Sequence, residues 1–243
     1  MLSKINKVVF TLAIVLALIS PIKEKVFAAT PTSVKIAYFF TGPLDEPWAQ
    51  AMYRAVQRVK KDVPNGLKIK DKWFEKVPID DYEKFIRDVV LTGLFDIIWL
   101  HDASAGTDPV DNLRKEFPKQ IFPVTASNYR PVGGNAYWIQ AYAHEAAYLS
   151  GVIAGKVTKT DTIGMVAGFP YASVNHLLNA FADGARSVNS GVKFKVAYIE
   201  AWWDPVKAKE TALAQIEAGA DVIYSERYGA FEAARDKKVQ IGR

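Results

Sequence analysis

From Val34 onward, short runs of β-branched and aromatic residues alternate with stretches that repeat apolar residues at helical spacing. Val34–Phe40 is such a run, closed by Gly42-Pro43, and predicts a buried strand. Pro47–Asp62 repeats Met52, Ala55, Val56 and Val59 on one helical face, with Pro47 suited to the first turn. Further strands are expected at Leu67–Phe74, Asp96–Leu100, Ile121–Thr125 and Tyr137–Tyr142. Helices Asp80–Leu91, with Asp80 as cap, and Asp108–Phe117 fall between them. A second set follows: helix His144–Thr158, strand Thr162–Ala167, helix Val174–Val188, strand Val192–Ala201, helix Val206–Ala218, strand Asp221–Tyr224 and helix Phe231–Lys237. Asp204-Pro205 opens the helix at Val206, and Gly219 closes it. Strands this apolar belong to mostly parallel sheets with helices on both faces. The expected fold class is α/β, in two sets that meet near Gln140, which favours two lobes around a cleft.

The start of the chain reads differently. Met1–Lys7 carries two lysines, and Val8–Ser20 is an uninterrupted run of apolar and small residues. That run is shorter than the ~20 residues that span a bilayer, and suits the core of a secretory signal. Val26-Phe27-Ala28 places small residues before a cleavage point. The expected division is a signal peptide at 1–28, an N-terminal lobe at 29–140 and a C-terminal lobe at 141–243. Export follows, to a periplasm or to the outer face of the cell membrane.

Composition removes several chemistries. The chain has no cysteine, which excludes disulfides, thiolate catalysis and cysteine metal sites. Its histidines, His101, His144 and His176, are not at zinc-ligand spacing, and no cofactor is expected. The net charge is +5, much of it from the leader's lysines, and no Lys/Arg stripe follows, so nucleic acid is not an expected partner.

Familiar motifs fail on inspection. The turn after the first strand, Thr41-Gly42-Pro43-Leu44-Asp45-Glu46-Pro47-Trp48, has one glycine and two acids where a dinucleotide fingerprint needs three glycines. Gly151-Val152-Ile153-Ala154-Gly155-Lys156 resembles a phosphate loop but lies in a helix, where small residues serve close packing. Ser104 lacks the surrounding pattern of a nucleophile elbow. Asp45/Glu46 and Asp80/Asp81 read as turn or cap residues, with acid–base use of Asp45 or Glu46 as the hydrolase alternative.

The aromatics carry more information. Trp48, Phe169, Tyr171 and Tyr228 follow expected strands, and Trp202 ends one just before Asp204-Pro205. Open α/β sheets bind ligands beyond the carboxyl ends of their strands. Flat side chains at that edge of both lobes suggest a slot that sandwiches a planar solute. Asp45, Asp102 and Asn175 stand at the same edges, where they could bond ring nitrogens or sugar hydroxyls.

Several segments in order resemble the basic membrane protein family of solute-binding proteins for ABC transporters, which includes purine-nucleoside receptors. They are Glu145–Gly155, Gly168-Phe169-Pro170, Asn179–Asn189, Trp202–Lys207 and Gly219–Ile223. The resemblance runs from about Val34 to the end and is stronger in the second half. It implies the type I periplasmic binding fold, two Rossmann-like lobes that close on a solute. It also implies that Trp48, preceded by Asp45, stacks on the base, and that Trp202 and Phe169 match family aromatics. The chain departs from the pattern at Ala49, where the family often has Asn, and at His101-Asp102-Ala103-Ser104. It departs again at Glu226-Arg227-Tyr228, where the family acid falls on Tyr228 and Glu226 is the substitute. The candidate ligand contacts are Asp45, Trp48, Asp102, Ser104, Phe169, Asn175, Trp202 and Glu226.

The resulting expectation is an extracytoplasmic receptor, not an enzyme, that hands a purine nucleoside to an ABC permease. It would touch a membrane only through its leader or that permease. The alternatives are the same receptor with a sugar or signalling ligand, a sensor, and a small-molecule hydrolase. Val239 and Ile241 look like the opening of a further buried strand, so the second lobe reads as truncated.

Overall fold

The computed structural model describes residues 32–63, 66–101, 108–125 and 134–242. The leader, and with it the cleavage point, lies outside them, as do Asp102 and Ser104. Among the described residues no helix is long and apolar enough to cross a membrane.

Strands β1 (Ser33–Phe39), β2 (Lys68–Phe74), β3 (Ile97–Leu100), β4 (Phe122–Thr125) and β5 (Ala136–Ile139) form one sheet in the order β2-β1-β3-β4-β5. All its pairings are parallel. Helices α1 (Pro47–Lys61), α2 (Tyr82–Leu91) and α3 (Asp108–Glu116) connect them. Alternate residues of β1 feed opposite faces. Ala37 and Phe39 pack with Ile86 of α2 and Val110 and Leu113 of α3. Ile36 and Tyr38 pack with Ala49 and Val56 of α1. The edge strand β2 carries Lys68, Lys70 and Lys72, whose charge discourages pairing with a foreign strand.

A second parallel sheet has the order β7-β6-β8-β9, from β6 (Thr162–Ala167), β7 (Lys193–Tyr198), β8 (Val222–Ser225) and β9 (Gln240–Gly242). Helices α4 (Ala143–Val157) and α5 (Ala172–Val188) cover one face. Helices α6 (Pro205–Glu217) and α7 (Ala230–Lys237) cover the other. The small-residue face of α4 has a steric role. A Cβ at Gly151 would stand 2.0 Å from the Phe181 carbonyl oxygen, and one at Gly184 of α5 the same distance from that of Tyr148. The two backbones touch, and no phosphate loop is formed. Ser33–Arg243 make one compact unit.

Local signals fared unevenly. Asp204 caps α6 by accepting from the Lys207 N–H, and Gly219 closes the helix at φ +95°. Asp80 does not cap α2: the helix starts at Tyr82, and Asp81 precedes it without a side-chain cap bond. The strand expected to run to Ala201 stops at Tyr198, shortly before the chain turns at Glu200 with φ +56°. Trp202 therefore sits in a loop and does not end a strand.

Candidate functional site

In the order β2-β1-β3, the chain leaves β1 toward one side of the sheet and β3 toward the other. The loops at their carboxyl ends diverge and leave a crevice. The second sheet repeats the arrangement at β6 and β8. A cavity of about 250 Å³ is lined by residues from these loop ends. Phe40, Thr41, Gly42, Glu46 and Trp48 follow β1, and His101 follows β3. Trp202, Glu226 and Arg227 follow β7 and β8, and the start of α5 contributes Ser173, Val174, His176 and Leu177. Gln140, Ala141, Ala143 and His144, where the chain passes from β5 to α4, complete the lining with Thr125.

Trp48 stands in the first turn of α1, which Pro47 initiates. The residue is 42% exposed, and its ring stacks on His101 at 5.0 Å and 15°. Its indole N–H donates to the His101 carbonyl at 3.4 Å. Phe40 meets the same imidazole edge-on at 5.0 Å. His101 itself is only 5% exposed, and neither ring nitrogen has a hydrogen-bond partner. Burial pushes its pKa down to about 4, so the ring is neutral at pH 7. On another wall His144 of α4 stacks on His176 of α5 at 4.2 Å. All three histidines of the chain thus line one cavity. Among the described residues no His/Asp/Glu group is arranged to hold a metal ion.

The Trp202 side is held by a charge pair. Glu226 accepts from the Gly168 N–H at 2.7 Å with one oxygen and from Arg227 with the other. Arg227 also donates to the Trp202 carbonyl and lies 5.1 Å from the centre of its ring. Both carboxylate oxygens of Glu226 therefore have protein partners. The pair is nearly buried and cancels its own charge.

A second, more open hollow of about 520 Å³ shares Thr41, Gly42 and Trp202 with the first. Asp45 and Phe169 line this outer hollow. Phe169, Tyr171 and Trp202 form an aromatic cluster, with ring centres 4.9–5.7 Å apart. Of the residues expected at the site, Trp48, Trp202 and Glu226 meet in the inner cavity, and Asp45, Phe169 and Trp202 in the outer one. Asn175 lines neither: its carbonyl accepts from the Tyr198 hydroxyl at 2.6 Å, and its amide donates to the Pro170 carbonyl. Asp102 and Ser104 follow His101 directly but lie outside the described residues. Sequence reasoning left out Glu46, His101, His144, His176 and Arg227 as lining groups. The apolar run that ends at Leu100 is the signal that could have found His101, the first residue beyond it.

Known proteins share this architecture. A family model described as "ABC transporter substrate-binding protein PnrA-like" matches residues 33–242. A Haloferax volcanii protein named for ABC-transporter glucose binding is 41% identical over 120 residues, 49% of this chain and 30% of its own length. A purine-binding protein of Brucella abortus is 27% identical over 211 residues, 85% of this chain and 59% of its own. The chain thus spans less than two thirds of either relative. A crystal structure of an ABC transporter solute-binding protein from Aeropyrum pernix superposes with a TM-score of 0.74 at 18% identity, covering 84% of this chain and 59% of the other.

Proposed function

Because the chain belongs to the PnrA-like family of ABC transporter substrate-binding proteins, we propose that it is an extracytoplasmic receptor that captures a purine nucleoside and presents it to an ABC permease. One observation carries this reading: the inner cavity lies at the carboxyl ends of both sheets and is lined by Trp48 from one and Trp202 from the other. A planar base fits between such rings, because stacking is favourable and both faces lose water together. Asp45, which lines the outer hollow, would take the ribose hydroxyls. Ligand pockets usually measure ~300–1,000 Å³, so the inner cavity takes the base and the outer hollow the sugar.

Binding works through a change of population. A solute that touches groups from both sheets favours the closed arrangement by its differential affinity, and the closed form docks on the permease. The relative named for purine binding supports the nucleoside. The relative named for glucose binding favours a sugar as the second reading. Isothermal titration with inosine, guanosine, adenosine and glucose separates them. Binding of at least one nucleoside with no glucose signal is expected. Glucose binding without nucleoside binding would overturn the reading.

A further inference from the structure

We propose that His101 selects the solute: its imidazole hydrogen-bonds through a ring nitrogen that no protein atom satisfies to a polar edge of the bound ring. The proposal rests on the cavity being the solute site. Its evidence is the state of the side chain itself. A neutral imidazole carries one donor and one acceptor; the Trp48 backbone lies near one ring nitrogen, yet neither nitrogen makes a hydrogen bond of good geometry although the residue is 5% exposed. Buried polar atoms in native proteins are almost always paired, because an unpaired one carries the full cost of its desolvation. The ring is also fixed in place. Trp48 covers its face and Phe40 its edge. The residue lines the inner cavity; its nitrogens are covered in the free protein, so a solute supplies the missing partner once the part-exposed Trp48 ring shifts to stack on it.

The chemistry narrows the solute. The imidazole is neutral, so it can accept from an N–H as well as donate to a carbonyl or ring nitrogen. A cationic side chain here could only donate. The matching ligand is an uncharged heteroaromatic ring with N–H and acceptor groups on its edge, as in a hydroxylated or aminated purine. An apolar ring of the same shape would leave the imidazole unsatisfied and be rejected, which is how hydrogen-bonding sites discriminate most strongly. Trp48 then has two tasks, stacking on the base and keeping water from the histidine.

The test uses the full-length protein with inosine as probe, comparing wild type, His101→Phe and His101→Gln by titration calorimetry and thermal melting. Phenylalanine keeps a flat ring against Trp48 and removes both nitrogens. Its inosine affinity should fall by about tenfold or more, one hydrogen bond's worth, while the ligand-free protein melts no lower than wild type. A merely structural histidine would give the opposite pattern. Inosine binding by the Phe variant within about threefold of wild type overturns the proposal. Should the Phe variant fail to fold, the Gln variant decides. Affinity within about tenfold of wild type supports a polar contact, and complete loss overturns it. Wild-type protein that binds glucose and not inosine refutes only the nucleoside assignment, and the same criterion is then applied with glucose. Wild-type protein that binds neither overturns both.

Discussion

Replacing Trp48 with alanine separates binding from folding because the residue sits where both can be measured. In the free protein the ring is partly exposed and makes one stack, on His101 at 5.0 Å, and one long hydrogen bond at 3.4 Å. An aromatic pair contributes about 0.5–1.5 kcal/mol beyond its buried area, and a bond this long adds little. The stability cost should therefore be about 1–2 kcal/mol, a fall in melting temperature of about 2–8 °C for a unit of this size. A base stacked on the same ring would lose about 1–3 kcal/mol, or about five- to 150-fold in affinity. Circular dichroism melting and calorimetric titration with inosine, on the same preparations, read the two quantities. Unchanged affinity would refute the stacking role. Collapse of the fold would assign Trp48 to the core instead.

Other perturbations test the framework. Gly151→Ala should destabilise the protein by about 1–3 kcal/mol without touching the cavity, since its methyl meets the Phe181 carbonyl at 2.0 Å; a melt as high as wild type would contradict that packing. Glu226→Ala should cost about 3–5 kcal/mol, because Arg227 would stay nearly buried without its carboxylate and the Gly168 N–H would lose its acceptor; chemical denaturation measures it. Acid should weaken the fold in two steps. His101 is held near 4 in the folded state against about 6.5 unfolded, so the unfolded chain takes up a proton first, and up to about 3 kcal/mol is lost as pH falls from 6.5 to 4. Asp221 follows at its ordinary range and below. Burial raises its pKa, but bonds from the Thr158 hydroxyl and the Lys159 and Thr160 N–H groups outweigh that and lower it. The stability it adds is therefore lost as pH falls from the ordinary carboxylate range down through that lowered value. Denaturant midpoints at pH 7, 5.5 and 4.5 should decline for wild type and stay flatter for His101→Phe.

The architecture was legible because its signals are local or periodic. Apolar runs such as Thr162–Ala167 have no polar alternation, and only a two-sided parallel sheet accepts them. Asp204 announced its helix because a cap needs just the next three residues. The strand order places the loops after β1 and β3 around one crevice and those after β6 and β8 around its counterpart, so Trp48 could be expected there from its position alone, while Trp202 follows β7 at the same carboxyl edge. What escaped depends on distant partners. Asn175 looked available at a sheet edge, but Tyr198, far along the chain, takes its carbonyl. His101 looked like a departure from a family turn, and only the packing of Trp48 and Phe40 shows it buried and unsatisfied. Glu226 was expected to face the solute, but Gly168 and Arg227 occupy both its oxygens. No periodicity in a sequence encodes such encounters.

The central claim is that the cavity between the two sheet edges holds a purine nucleoside. Mass spectrometry of the small molecule released on denaturing the full-length protein, purified without added ligand and then equilibrated with equal concentrations of inosine and glucose, tests it most directly. The account predicts inosine in near-equimolar amount from wild type and little from a Trp48→Ala, Trp202→Ala double variant that remains folded. Glucose in place of inosine, or inosine retained equally by the double variant, would contradict it.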